Sequence, residues 1–306
     1  MALDPVKLDS VTAGPVTLDS VQLATFHAVI AQGSFDAAAR ALHVTPSAVS
    51  QRIKALEQVV GQVLVRRARP CEPTAAGASL VRLGGQIALL EREALDAARG
   101  ALTGRARVAV VVNADSLASW FLPALTDVPD AVFDLHTDDE GHTAGLLRDG
   151  TVMAAVTTEH TPVQGCRVQP LGVMRYLPVA APAVHAARFA GRELADALPD
   201  APMVRFNRKD VLQHRFVREV TGRDLDPPAH CVPASSAFDA AVRLGLGWGL
   251  LPERMAAEDV ATGRLIHLAP GRHMDVPLYW QYWRLESAVL DALTTAVRAA
   301  AAKALR

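Results

Sequence analysis

Between Asp19 and Val60 the sequence spells out three short helices with their caps, and no other stretch of the 306 residues limits the fold as strongly. Leu23, Phe26 and Ile30 recur at three and four residues behind Asp19 or Ser20, either of which can cap a first helix, and Gly33 ends it. Ser34 caps a second helix, Phe35 to Leu42, whose alanines let two helices cross closely. His43-Val44 makes a tight turn. Thr45-Pro46 then sets an N-cap before a proline at the first helical position, where its missing N–H leaves no bond unmade. The third helix, Pro46 to Val60, carries an apolar stripe of Val49, Ile53, Leu56 and Val60. Its other stripe is Ser47, Ser50, Gln51, Lys54 and Gln58, made of groups that reach base edges and phosphates without blocking entry to a groove.

After Gly61, Val63-Leu64-Val65 and Arg66-Arg67 read as a short hairpin whose cations can touch flanking phosphates. The bland alternative is a small helical bundle with a solvated polar face. Cap, turn, stripe and basic wing coincide, which favours an all-α winged helix-turn-helix head over residues 18–72, bound to double-stranded DNA. Its candidate contacts are Ser34, Thr45, Pro46, Ser47, Ser50, Gln51, Arg52, Lys54, Arg66 and Arg67. Charge agrees. The whole chain sums to −1, yet residues 40–70 hold six basic groups against Glu57, a local +5 that leaves −6 for the rest. A basic block in a neutral chain points to a polyanion partner for one module.

Residues 1–17 hold one Leu-Asp-Ser (Leu8 to Ser10), repeated just after them at Leu18 to Ser20, and lack a basic start and apolar run, so a flexible tail is expected and not a signal peptide. No stretch approaches the roughly 18 apolar residues of a membrane span. The three cysteines (Cys71, Cys166, Cys231) are far apart and odd in number, which fits a reducing cytoplasm.

Residues 73–104 form the connector. Ala76, Leu80, Leu83, Ile87, Leu90, Ala94 and Ala97 alternate spacings of four and three, a heptad seam on one long helix from Thr74 to Gly100. Leu80, Leu83, Ile87, Leu90 and Ala94 are the candidate dimer contacts; the alternative is a helix packed on its own domain. Gly100 to Gly104 reads as a hinge.

From Arg105 to the end strands and helices alternate, the pattern of α/β lobes with parallel sheets. Lobe I is expected over 105–176 and 275–306 and lobe II over 177–274, with Val173 to Ala181 crossing out and Pro277 to Trp283 crossing back. Ligands of open sheets sit beyond the strand ends, at helix N-termini. Four loops meet that description, and they supply Asn113, Asp115, Ser116, Thr157, Glu159, Asn207, Asp210, Ser235, Ser236 and, just beyond, Asp239. Each loop alone is a satisfied helix cap; their convergence makes a cleft. Serines with several carboxylates suit a zwitterion carrying an extra positive charge, whereas Arg208 and Lys209 either oppose that reading or face solvent.

No Gly-x-Ser-x-Gly elbow, His-Glu-x-x-His or phosphate loop occurs, and the ten histidines are scattered. Gly245-Leu246-Gly247-Trp248-Gly249 leads into a strand, unlike a dinucleotide loop. No enzyme, metal or cofactor is expected.

Gly33-Ser34-Phe35, Ala37-Ala38-Ala39, Val44-Thr45-Pro46-Ser47-Ala48-Val49-Ser50, Leu56-Glu57, Leu64-Val65-Arg66-Arg67 and Thr74-Ala75-Ala76-Gly77 together resemble the N-terminal signature of LysR-type transcriptional regulators. Val112-Asn113-Ala114-Asp115-Ser116-Leu117-Ala118, Trp120 and Leu122-Pro123-Ala124-Leu125 look like the sensor opening of its ArgP/LysG branch, as do Gln62 to Arg66 and Pro70-Cys71 in the wing. The resemblance implies a two-lobed body like that of periplasmic solute-binding proteins, joined to the head by a long linker helix. It implies homodimers or homotetramers paired through that helix, a pseudo-palindromic operator, and contact with RNA polymerase. It also implies an effector among lysine, arginine and, in some members, histidine, and activation of a basic amino-acid exporter gene. Two alternatives stay open: a LysR-type regulator of another small-anion or amino-acid pathway, and a ligand-independent inhibitor of replication initiation.

Overall fold

The computed structural model describes residues 17–100, 104–137 and 143–306. Most of the tail (1–16), the middle of the hinge (101–103) and the acidic run Asp138-Asp139-Glu140 lie outside the described residues. Two compact units divide within the long connector helix, between Glu91 and Arg92.

The first unit is the head. Helices α1 (Ser20–Ala31), α2 (Phe35–Ala41) and α3 (Pro46–Val60) start where their caps dictate. Asp19 Oδ1 accepts from Gln22 N at 2.9 Å, Ser34 Oγ from Ala37 N at 3.2 Å and Thr45 Oγ1 from Ala48 N at 3.2 Å. His43 takes φ = +54° in the turn between α2 and α3, a conformation few non-glycine residues adopt. Leu23, Phe26, Val29, Val49, Ile53 and Leu56 form the core, each at most 3% exposed. The wing differs from the expected hairpin. Its strands are β1 (Val65–Arg66) and β2 (Glu72–Pro73), antiparallel and joined by a five-residue loop, so Arg67 leaves the ladder instead of pairing in it.

Helix α4 (Ala75–Arg99) begins in the head. Its buried stripe includes Gly77, Val81 and Gly84, one residue along from the heptad seam. Leu80, Leu83 and Ile87 are half-buried beside the head core, whereas Leu90 is 38% exposed and Ala94 is exposed. The glycines explain the shift: a Cβ on Gly84 would sit 2.6 Å from the Leu23 carbonyl oxygen, so only glycine lets α4 approach α1 this closely. Gly→Ala inside a helix ordinarily stabilises by up to about 1 kcal/mol. Here overpacking costs more, and Gly84→Ala is expected to destabilise the head by about 1–2 kcal/mol net, read as a lower melting temperature.

The second unit is the body. Its first lobe holds β3 (Ala106–Val112), α5 (Ala114–Ser116), a π-helical turn Leu117–Phe121, α6 (Leu122–Thr126), β4 (Ala131–Thr137), α7 (Thr143–Arg148) and β5 (Ala154–Thr157). Then comes β6 (Cys166–Ala180), which leads to the second lobe: α8 (Pro182–Arg188), α9 (Leu194–Ala197), β7 (Met203–Arg205), α10 (Leu212–Thr221), β8 (Ala229–Cys231), α11 (Ser235–Arg243), β9 (Gly249–Pro252), α12 (Glu253–Ala261) and β10 (Ile266–His267). Strand β11 (Met274–Trp283) returns to the first lobe, and α13 (Ala288–Ala304) closes the chain.

Parallel pairing, expected throughout, holds for β3 with β4 and β5 and for β7 with β8. The crossing strands break the pattern. They are longer than the apolar runs that announced them, pair antiparallel from Cys166↔Trp283 to Tyr176↔Met274, and carry β5, β9 and β10 antiparallel on their flanks. One mixed sheet of order β10-β6-β11-β5-β3-β4, with β9 on β6, therefore runs through both lobes. The reason is in the ladder: two long strands that cross together satisfy each other's backbone groups along their whole length.

Buried Trp280 and Trp283 of β11 anchor the first lobe, with Trp280 Nε1 donating to Thr294 Oγ1 of α13 at 3.1 Å. Val179, Val204, Phe238, Val242 and Leu251 make the core of the second. At the start of α13 the Glu93 carboxylate accepts from Ser287 Oγ at 2.7 Å and from the N–H groups of Val289 and Ala288 at 3.2 and 3.3 Å. An anion there meets the positive end of the helix dipole. Glu93→Gln keeps the shape and loses the charge, so the body is expected to melt lower by about 1 kcal/mol.

Candidate functional site

Helix α3 presents Ser47, Ser50, Gln51, Lys54 and Gln58 to solvent, while Val49, Ile53 and Leu56 face the core. Thr45 and Pro46 open this helix, and the Thr45 and Ser47 hydroxyls lie 2.9 Å apart. Ser34 is occupied as the cap of α2. Arg52 departs from the exposed stripe: it is half-buried, and its guanidinium donates to Thr25 Oγ1 of α1 at 3.4 Å. Its position on α3 turns it toward α1 and away from Gln51 and Lys54. In the wing, Arg66 pairs with Glu72 at 3.3 Å and Arg67 lies over the Phe35 ring, 4.9 Å from its centroid. Both arginines belong to exposed residues.

The body contains a cavity of about 580 Å³ whose wall draws on both lobes and both crossing strands. This is within the usual size of a small-molecule site. Asn113 and Asp115 come from the end of β3, Tyr176 from β6, Asn207 and Asp210 from the loop after β7, Ser235 from the start of α11 and Pro277 from β11. Five residues chosen from the sequence thus share one wall: Asn113, Asp115, Asn207, Asp210 and Ser235.

Asp115 is the chemical centre of that wall. Ser235 Oγ donates to its Oδ1 in a short hydrogen bond, and Tyr176 OH donates to its Oδ2 at 2.9 Å. Burial pushes its carboxyl above the ordinary carboxylate range; the Ser235 and Tyr176 bonds pull it back in part, and the nearby Asp210 charge adds to the rise. No cation pairs with it among the described residues. Asp210 has a different job, since its two oxygens accept from Phe206 N at 2.9 Å and Leu212 N at 3.0 Å and so fix the loop into α10. Asn207 Oδ1 accepts from Lys209 N and Asp210 N in the same loop. Lys209 and Arg215 also line the cavity, so the wall offers both signs of charge.

Five chosen residues lie elsewhere. Ser116 is fully buried behind the wall, and its hydroxyl has no partner among the described residues. Thr157 Oγ1 accepts from Glu159 N at 3.1 Å, and its neighbour Thr158, just past the end of β5, takes the place on the wall. Glu159 stays off the wall and offers its carbonyl to Gln281 Nε2 at 3.0 Å. Ser236 is exposed, about 100° around α11 from Ser235. Asp239 accepts from Arg243 Nε at 2.7 Å; Phe238 holds the cavity face of that turn. Tyr176, Lys209, Gln213 and Arg215 were missed, and only Lys209 drew notice, as an obstacle. The others belong to a strand and a helix whose periodicity shows burial but not what lies opposite.

Among the described residues no group of histidines, cysteines and carboxylates is arranged to hold a metal, and no helix is long and apolar enough to cross a membrane.

Comparison with known proteins gives this geometry a family. The profile described as "Bacterial regulatory helix-turn-helix protein, lysR family" matches residues 21–78, and that of the "LysR substrate binding domain" matches residues 99–302. The chain is 43% identical over 300 residues to the "Lysine export transcriptional regulatory protein LysG" of Corynebacterium glutamicum, covering 94% of this chain and all of that one. The crystal structure of ArgP from Mycobacterium tuberculosis superposes with a TM-score of 0.85 at 50% identity, covering 95% of this chain and 99% of that one. Full-length LysG from Corynebacterium glutamicum with bound effector Arg gives a TM-score of 0.75 at 42% identity, covering 94% and 100%. These relatives are named as transcriptional regulators, not enzymes, and LysR-type regulators bind DNA through the helix-turn-helix head. The chain belongs to the lysR family of bacterial transcriptional regulators, in its LysG/ArgP branch.

Proposed function

We propose that this regulator senses lysine or arginine in the interlobe cavity and in response activates a gene for export of basic amino acids. The observation that carries this reading is the half-buried Asp115 carboxylate on the cavity wall, bonded to Ser235 and Tyr176. Two hydroxyls solvate it, but they bring no charge, and a buried carboxylate is stabilised most by a cation. A basic amino acid supplies that cation and presents its own carboxylate to Lys209 and Arg215. The bound Arg of the Corynebacterium glutamicum structure and the lysine-export name of that relative support the same class of effector and target.

The heads pair through the exposed part of the seam around Leu90 and Ala94, extended by Leu80, Leu83 and Ile87, so that two copies of α3 read a pseudo-palindrome. Effector favours one arrangement of the paired heads over another and thereby changes promoter contact by RNA polymerase. Calorimetric titration of the full chain tests the effector. Lysine or arginine is expected to bind, and citrulline, which has arginine's shape without its charge, is not. Absence of both heat and thermal shift with every basic amino acid would sink the proposal.

A further inference from the structure

Two residues of the cavity wall, Asn113 from the first lobe and Gln213 from the second, each hold a buried carbonyl oxygen (Oδ1 and Oε1) that no described group satisfies. Gln213 is the more telling of the two. It is only 2% exposed, the second residue of α10, and a polar acceptor buried without a partner destabilises the protein that holds it. Beside them Asp115 has already accepted one hydrogen bond on each oxygen, from Ser235 and from Tyr176, and each oxygen keeps a further lone pair. The wall therefore has acceptor capacity on three side chains at once: two carboxylate oxygens and two amide oxygens.

An ammonium has three N–H donors around one point, whereas a guanidinium has five spread in a plane. Four separate acceptors are more than an ammonium can serve and within what a guanidinium can. We infer that Gln213 and Asn113 complete, with Asp115, an acceptor set built for a guanidinium, and that Gln213 makes the cavity select arginine over lysine. This rests on the cavity being a basic amino-acid site. Gln213 acts by contact with the effector's N–H groups once its amide turns from its buried position to the cavity, while Asp115 supplies the charge that both amino acids need.

The test is titration of the full-length wild type and of Gln213→Leu with arginine and with lysine, alongside melting of each protein without effector. The Leu variant is expected to weaken arginine roughly tenfold or more, the ordinary loss of a hydrogen bond to a charged donor, and to weaken lysine less than about threefold. Without effector it should melt no lower than wild type, because a stranded acceptor has been removed. Gln213→Met serves the same comparison if the Leu variant does not fold. Equal losses for the two amino acids, no loss for either, or losses matched by a lower melting temperature would overturn the inference. A wild type that binds neither amino acid would instead remove the basic-effector reading on which it stands.

Discussion

Asp115→Asn should abolish the response to basic amino acids while leaving the protein folded and able to bind DNA. The substitution keeps the size of the side chain and an acceptor for Ser235 or Tyr176, and removes only the charge. Breaking a buried ion pair by neutralising one member costs about 3–5 kcal/mol, which is more than a hundredfold in affinity. Calorimetry with arginine and lysine reads this directly. An affinity within tenfold of wild type would mean that another group holds the effector's charge.

The same residue predicts a pH dependence of definite sign. Burial raises the Asp115 carboxyl in the folded protein above its unfolded value of about 3.9. Its contribution to stability is therefore fully present below pH ~4 and is lost as the pH rises through the raised folded value. Without effector, wild type should lose stability relative to Asp115→Asn across that window. A cationic effector binds the ionised form, so its affinity should rise with pH over the same window as the proton is expelled. Titrations at two pH values, in buffers of different ionisation enthalpy, measure that proton. The surroundings set where the window falls: burial and the Asp210 charge raise it, and the Ser235 and Tyr176 hydrogen bonds lower it.

The second large effect belongs to the head. Gln51→Ala is expected to weaken specific operator binding by about 1–3 kcal/mol and to leave binding to random DNA nearly unchanged, since an amide on the exposed stripe of α3 reads base edges. Arg66→Ala should weaken both alike and lower the slope of affinity against salt, the result expected of a cation that meets phosphate and no base. Arg66 is held by Glu72 at 3.3 Å with both side chains more than half exposed, so releasing it to phosphate costs little. Equal losses from the two substitutions, on specific and random DNA, would refute this division of labour. Arg52, bonded to Thr25, should behave differently from either, with its loss felt in head stability as well as in DNA binding.

These expectations draw unequally on sequence and on structure. Asp19, Ser34 and Thr45 cap their helices in the structure as the sequence led one to expect, and Pro46 to Val60 keeps the bounds read from it. The polar stripe of α3 faces out for the same reason that it was legible. Caps and helical stripes are contacts over three and four residues, so the information that forms them sits side by side in the chain.

The cavity is another matter. Asp115 meets Tyr176 and Ser235, which are 61 and 120 residues away, and no local pattern records such a pairing. Asp239 and Glu159 have the same chemistry as Asp115 and stand in similarly plausible loops, yet Arg243 holds one and the other stays off the wall. Thr157 closes β5 and Thr158 follows it, and only the second lines the cavity. Nothing local marks Gly84 as a packing residue; the Leu23 carbonyl, 2.6 Å from where a Cβ would stand, does. By itself the sequence determined the helix-turn-helix, the polar stripe of α3 and the presence of two α/β lobes, because each rests on short-range periodicity. Only the tertiary structure decided which carboxylate meets Ser235 and Tyr176 on the cavity wall, that Gln213 belongs to the same wall, and that two long antiparallel strands join the lobes, because each depends on which distant backbone and side-chain groups come together.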